Sequence, residues 1–344
     1  MSAMPHHIRH LALLTPGNYA DSAPAAGLEA GLRLFEQAEA LGFQSAWVRQ
    51  RHLERGVSSA STFLAAASQR TRRIALGSAV IQMGYENPFR LAEDLATVDV
   101  LSGGRLQVGL SAGAPPHAAL LGERLLDGDP TRIDFSHRRV ERLRDNLGDG
   151  PLGDEHSWIE SPAGRQRPRL HPQAPGLQQR LWIGGGSLAS AQWAGSHGFH
   201  LLIGNLTRGE GEPDFFAAQQ AQLRRFRACW QAPHAARVAV GRVIVPTDGA
   251  DADTRRRYED FARSRHARTL GPQGERGTLY APDLVGPAEQ IVETLRRDPV
   301  LAQVSELRLE LPYDLAPAQY QQILQDSVDR VAPALGWVPT PVLH

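Results

Sequence analysis

"RLWIGGGSLASAQWAG", Arg180 to Gly195, decides how the rest of the chain is read. An apolar run, Leu181 to Ile183, enters three glycines and leaves into small, helix-compatible residues. Gly184, Gly186 and Ala189 match the G-x-G-x-x-A dinucleotide fingerprint. A strand feeding a helix through glycines turns several backbone N–H groups toward one spot, with the positive helix end behind them. That specifies an anion, not a nicotinamide. A dinucleotide-binding domain usually opens with its fingerprint, whereas here four strand–helix units come first. No acidic residue clearly ends a following strand about 20 positions later, where a ribose contact is expected. The nearest, Glu210, lies in the polar loop "TRGEGEPD". The competing reading is a tight turn with no ligand; three glycines followed by Ser187 favour a phosphate.

Working outward, the same strand–helix unit recurs. "HLALLT", "SAWVRQRH", "RIALGSAVI" and "RLQVGLSAG" read as strands before the opening stretch. "FHLLIGN", "RVAVGRVIVP" and "ELRLELPYD" follow it. Between them lie helical patterns such as "GLEAGLRLFEQAEALGF" and "NPFRLAEDLATVDVLSGG". Alternation of this kind implies a parallel sheet, and about eight units closing on themselves make a (β/α)₈ TIM barrel. Residues 1–344 are therefore read as one domain, with extra chain inserted at about 148–179 and 246–285.

Composition sets the surroundings. With 37 basic and 37 acidic residues the formal net charge is zero, which gives no reason to expect nucleic acid or an anionic membrane as partner. The basic residues are all arginine. The single cysteine, Cys229, excludes an internal disulfide and a cysteine zinc cluster. No histidine pair has metal-binding spacing on a plausible helix, so no metal is expected. Without a signal-peptide pattern or a long apolar run, the expected location is cytoplasmic. Trp47 and Trp182 are expected between barrel and helices, and Arg138, Arg139, Arg142 and Arg144 on a solvated helix face. His10 is expected with His6 and His7 on a mobile terminus.

Three blocks carry a family resemblance. "EQAEALGFQSAWVRQRHLERG" with "TRRIALGSAVIQMGYENPFRLAEDLATVDVLSGGRLQVGLSAG", then "PRLHPQAPGLQQRLWIGGGSLASAQWAGSHGFHLL", then "LVGPAEQIVETL" resemble the bacterial luciferase-like flavin monooxygenases, in order and nearly end to end. The resemblance implies a luciferase-like TIM barrel binding reduced FMN at the C-terminal strand ends, and less readily a deazaflavin. It implies an oxidoreductase that uses O2 to oxygenate a small organic substrate. A separate NAD(P)H:flavin reductase would supply the reduced flavin, and the chain would form a homodimer.

It also implies a site. Gly184, Gly185, Gly186 and Ser187 resemble the turn receiving the flavin phosphate, with Ser111, Gly204 and Asn205 at neighbouring strand ends. The family's phosphate-binding arginine at the fourth strand is replaced by Ala112. Where the family often has Glu-His-His after the second strand, this chain reads Gln50, Arg51 and His52. Gln50 is assigned to cofactor binding, and Arg51 and His52 to catalysis. An arginine beside reduced flavin would stabilise developing negative charge or clamp an anionic substrate. The departure puts a luminescent aldehyde reaction in doubt. The bond joining Ala79 to Val80 aligns with the family's non-proline cis peptide under the flavin ring. Gln82, Tyr85 and Asn87 are expected at the substrate cavity.

Ser264 to Gly286 is expected to be a mobile lid, with Arg265, His266, Arg268 and Arg276 available to an anionic group. Two alternatives stay open: a deazaflavin-dependent oxidoreductase on the same barrel, and a non-catalytic flavin-binding barrel.

Overall fold

A computed structural model of the protein describes residues 7–127, 129–162 and 164–341. Eight parallel strands close into a barrel in sequential order. They are β1 (His10–Thr15), β2 (Ser45–Val48), β3 (Ala75–Gln82), β4 (Leu106–Ser111), β5 (Leu181–Gly185), β6 (His200–Ile203), β7 (Val238–Arg242) and β8 (Glu306–Glu310). Helices cover the outside, among them Pro24–Ala40, Ala60–Arg70, Pro88–Leu101, Leu188–Ser196 and Phe215–Ala228. Asn87, Ser187 and Asp214 accept N–H bonds as N-caps, which starts their helices where the strand-end loops finish.

Strand alternation divides the core in two. Leu11, Leu13, Ala46, Val48, Leu201, Ile203, Leu307 and Leu309 face the helices. Ala12, Leu14, Trp47, Trp182, Leu202 and Ala239 face inward. The two tryptophans thus lie inside the barrel, not outside it. Their parity on β2 and β5 fixes that, and their rings meet edge to face at 5.6 Å. Gly77 on the neighbouring β3 is obligatory here, because a Cβ would lie 2.2 Å from the Trp47 indole.

The closed end of the interior is polar, and its Arg237–Glu306 pair is held by two hydrogen bonds. Arg237 holds Glu306 through Nε and Nη2 at 2.7 and 3.0 Å. Ser45 Oγ meets both His10 and Trp47 Nε1 at 2.8 Å. His10 is therefore the first residue of β1, bonded into the barrel, and not part of a loose terminus. His200 accepts the Arg237 backbone N–H on Nδ1, and its pKa is lowered to about 3 by burial first and Arg237 second.

The seventh apolar run breaks in two. Val238–Arg242 joins the barrel, while Ile244–Pro246 pairs in parallel with Leu284–Gly286. The following connection contains a helix the sequence pattern did not reveal, Ala252–His266. Of the four arginines on the helix Arg138–Asn146, only Arg138 and Arg142 are exposed. Arg139 donates to the Met83 and Glu86 carbonyls, and Arg144 to the His197 carbonyl at 2.7 Å.

Candidate active site at the barrel mouth

The C-terminal strand ends surround a cavity of about 370 Å³. A larger groove, about 860 Å³, runs outside the barrel between Pro24–Ala40 and the 314–321 segment, away from the inward-facing strand ends. Barrel enzymes place their chemistry at the strand ends, so the smaller cavity is the candidate site.

One wall is built from small and apolar residues: Ala79 and Val80 of β3, Gly184 and Gly185 of β5, then Gly186 and Leu202. The Ala79–Val80 peptide bond is cis, as the alignment of the third strand anticipates. The β3–β4 register shifts between Ser78 and Ile81, around that bond.

The other wall is charged. Arg308 and Glu310 face inward from β8, Arg49 and Arg51 follow β2, and Tyr313 closes the corner. Arg49 Nη2 lies 2.7 Å from Glu310 Oε2, and its Nη1 donates to the Tyr313 hydroxyl at 2.7 Å. Burial opposes the Arg49 charge, but Glu310 and Tyr313 together outweigh it and raise the pKa. Burial likewise opposes a Tyr313 phenolate. Arg49 and Arg51 outweigh that, pulling the phenol below its ordinary range. Room for this cluster comes from Gly241, where a Cβ would lie 2.0 Å from Glu310 Oε1.

The rim carries Phe261, Arg265, Arg268 and Tyr280. Arg265 binds Asp283 at 2.6 and 3.0 Å, and Arg268 reaches the same carboxylate at 3.4 Å while lying over the Tyr280 ring. These two arginines come from the segment expected to be a loose lid. The structure shows it anchored instead. Thr278–Tyr280 pairs with Leu206–Arg208, Leu284–Gly286 pairs with Ile244–Pro246, and Leu279 and Ala281 are buried against Phe215 and Ala218. Few apolar residues suffice because backbone pairing satisfies the segment's N–H and C=O groups.

The glycine turn has an occupant from the chain itself. Ser187 Oγ accepts the Ser190 N–H at 3.1 Å, and Glu210 Oε2 accepts the Leu188 N–H at 2.6 Å. Glu210 adopts a left-handed backbone, φ 48°, to reach it. A carboxylate therefore sits at the helix start where a phosphate is expected. Beside it, the Arg208 N–H donates to the Gly186 carbonyl at 3.0 Å. A Cβ on Gly186 would meet no atom, so space for an anion lies in front of the turn.

Of the residues assigned from sequence, Arg51, Ala79, Val80, Gly184, Gly185, Gly186, Gly204 and Asn205 line the cavity. Gln50, His52, Ser111 and Ser187 are not in its lining. Buried Gln50 clasps two elements, donating to Glu86 Oε1 and accepting the Ala60 N–H, each at 2.9 Å. His52 stacks on Tyr85 at 3.8 Å, and burial lowers its pKa. Gln82, Tyr85 and Asn87 are outside the lining too: Asn87 caps a helix and Tyr85 donates to the Pro116 carbonyl. Arg49, Arg308, Glu310 and Tyr313 were not singled out from sequence. For Arg308 and Glu310 the signal was present in "ELRLELPYD", whose first, third and fifth residues are charged.

The small-residue wall fits a flat ring, and the open space before the turn fits a phosphate once Glu210 moves aside. The donor set is thus compatible with a flavin or deazaflavin.

Comparison with known proteins agrees with this geometry. The luciferase-like monooxygenase family model matches residues 8–297. A 158-residue stretch is 32% identical to 4-hydroxyprotoasukamycin monooxygenase of Streptomyces nodosus subsp. asukaensis, covering 43% of this chain and 40% of that one. The chain thus spans well under half the length of that relative. The fold is similar to the oxygenating constituent of 3,6-diketocamphane monooxygenase of Pseudomonas putida, a type II Baeyer–Villiger enzyme in complex with FMN. The TM-score there is 0.67 at 16% identity, over 94% of this chain and 98% of that one. It is also similar to an F420-dependent secondary alcohol dehydrogenase, with TM-score 0.62, 18% identity, and 95% and 99% coverage.

Proposed function

The chain belongs to the luciferase-like monooxygenase family, and on that premise we propose that it is a flavin-dependent monooxygenase that oxygenates a small organic substrate with O2. The observation that supports this reading most is the composition of the mouth. A small-residue wall carrying the cis Ala79–Val80 bond faces a cluster of guanidiniums across one cavity. Bound reduced flavin supplies the electrons that activate O2. The residues of this chain do the rest: Ala79, Val80 and Leu202 seat the ring and exclude water, and Gly185 to Ser187 receive the phosphate. Arg208, on the strand beside that turn, takes the place of the arginine absent at position 112.

Arg51 is assigned to catalysis in this reading. Its guanidinium bonds Tyr313 at the cavity edge and has no carboxylate partner among the described ion pairs. It is free to stabilise negative charge that develops only during turnover. Arg51→Ala is expected to lower turnover with supplied reduced FMN more than tenfold while changing oxidised-FMN binding less than threefold. A separate reductase delivers the reduced flavin, and the protein works as a homodimer.

The test is substrate-dependent O2 consumption with supplied reduced FMN, alongside titration of the ligand-free protein with FMN and with the deazaflavin F420. FMN binding with O2 uptake supports the proposal. Exclusive F420 binding with hydride transfer and no O2 uptake replaces it with the deazaflavin reading. Binding without turnover leaves a non-catalytic barrel.

A further inference from the structure

Among the described residues, the mouth contains a cation that the protein leaves unfinished. The Arg308 side chain is 4% exposed at the inner wall of the cavity. Its Nη2 reaches Glu310 Oε1 at 3.4 Å, while Nε and Nη1 are buried without a hydrogen-bond partner. Glu310 cannot complete it, because its other oxygen is engaged by Arg49 at 2.7 Å. One carboxylate thus serves two buried guanidiniums. Around the whole cavity, Arg49, Arg51, Arg265, Arg268 and Arg308 are set against Glu310 and, behind the rim, Asp283. Five cations against two anions leave a local charge of +3 in a chain whose formal net charge is zero.

A buried guanidinium with open N–H groups is unfavourable unless an anion completes it. Gly241 keeps the space that Glu310 and Arg308 occupy, so the arrangement is built into two strands and not an accident of one side chain. The small-residue wall is across the cavity from it, on the side assigned to the ring.

We propose that the inner end of the mouth, at Arg308 with Arg49 and Tyr313, is a carboxylate-binding site that anchors an acidic organic substrate. This rests on the flavin-monooxygenase reading for the word substrate, but the anion site itself does not. Arg308 supplies the unfilled N–H donors, and Arg49, itself bonded to the Tyr313 hydroxyl, engages the other Glu310 oxygen. A reactive carbon on the far side of the substrate then faces the β3–β5 wall. A flavin pyrimidine edge presents similar acceptors, so the experiment must separate the two sources.

Benzoate and its neutral isostere benzamide are titrated by calorimetry into the full-length protein, with and without saturating oxidised FMN. Benzoate is expected to bind at least tenfold more tightly than benzamide, and to bind the FMN-loaded protein as well. Arg308→Met is expected to weaken benzoate at least tenfold and leave FMN affinity unchanged, with Arg308→Lys intermediate. Equal binding of benzoate and benzamide overturns the proposal and needs no variant. So does undiminished benzoate binding in Arg308→Met. Displacement of benzoate by FMN overturns the substrate assignment, since Arg308 would then face the flavin. Benzoate binding in a protein that takes no FMN supports the anion site and tells against the flavin reading instead.

Discussion

Two guanidinium–carboxylate arrangements share strand β8 and differ in completeness. At the closed end, Glu306 takes two bonds from Arg237, which also reaches Gln107 Oε1 at 3.3 Å and lies over the Trp182 ring. At the open end, two and four residues further along, Arg308 and Glu310 meet at 3.4 Å and leave two guanidinium nitrogens unbonded. The inward parity is the same and so is the chemistry. A structural ion pair is built to satisfy itself, whereas a charge kept for a ligand is held incomplete at some expense in stability.

The sharpest way to break this comparison is at Glu310. Glu310→Gln leaves Arg49 and Arg308 buried with no anion between them, and is expected to lower unfolding stability by about 3–5 kcal/mol. Urea denaturation measures it. A loss below about 1 kcal/mol would mean that the open-end charges are well solvated, and the contrast between the two ends would disappear.

The closed end has its own signature in pH. His200 is held near 3 in the folded protein against an ordinary value of 6.5. Between those values the unfolded chain binds the extra proton, so His200 stabilises the fold fully above pH 6.5, and this is lost as pH falls toward 3. From pH 6.5 to 5 the expected loss is roughly 1.5 kcal/mol, and His200→Gln should flatten that part of the profile. A variant with the wild-type slope would remove His200 from the account.

A smaller effect concerns the glycine turn. Glu210 competes for the Leu188 N–H that a phosphate would use. Glu210→Gln is expected to tighten oxidised-FMN binding about fivefold, without altering affinity for riboflavin, which lacks the phosphate. Equal effects on both ligands would place the phosphate elsewhere.

The eight strands were legible because buried parallel strands read as short apolar runs, and helices announce themselves by a 3.6-residue period. Gly184 to Gly186 were legible through backbone demands that few residues meet, whereas the cis Ala79–Val80 bond was legible only through the family resemblance, since Ala and Val carry no local mark of it. The charged wall was not. Glu306, Arg308 and Glu310 alternate with leucines, a pattern that ordinarily marks a strand with one face in water. In this barrel the polar face turns inward, which only closure of the sheet decides. Arg49 was hidden for a related reason: its partner Glu310 lies 261 residues away. The 264–286 segment looked too polar to order itself, yet its order comes from pairing with 206–208 and 244–246, which no local pattern reports.

The most direct test compares two arginines, one from each end. Arg237→Met removes a completed partner and strands Glu306, so it should destabilise the ligand-free protein by about 2 kcal/mol. Arg308→Met removes an incomplete one and leaves Glu310 to Arg49. Its urea midpoint is predicted to equal or exceed that of the wild type. A loss from Arg308→Met as large as that from Arg237→Met would contradict the account, because Arg308 would then be a structural residue like its counterpart and not a charge held open for a ligand.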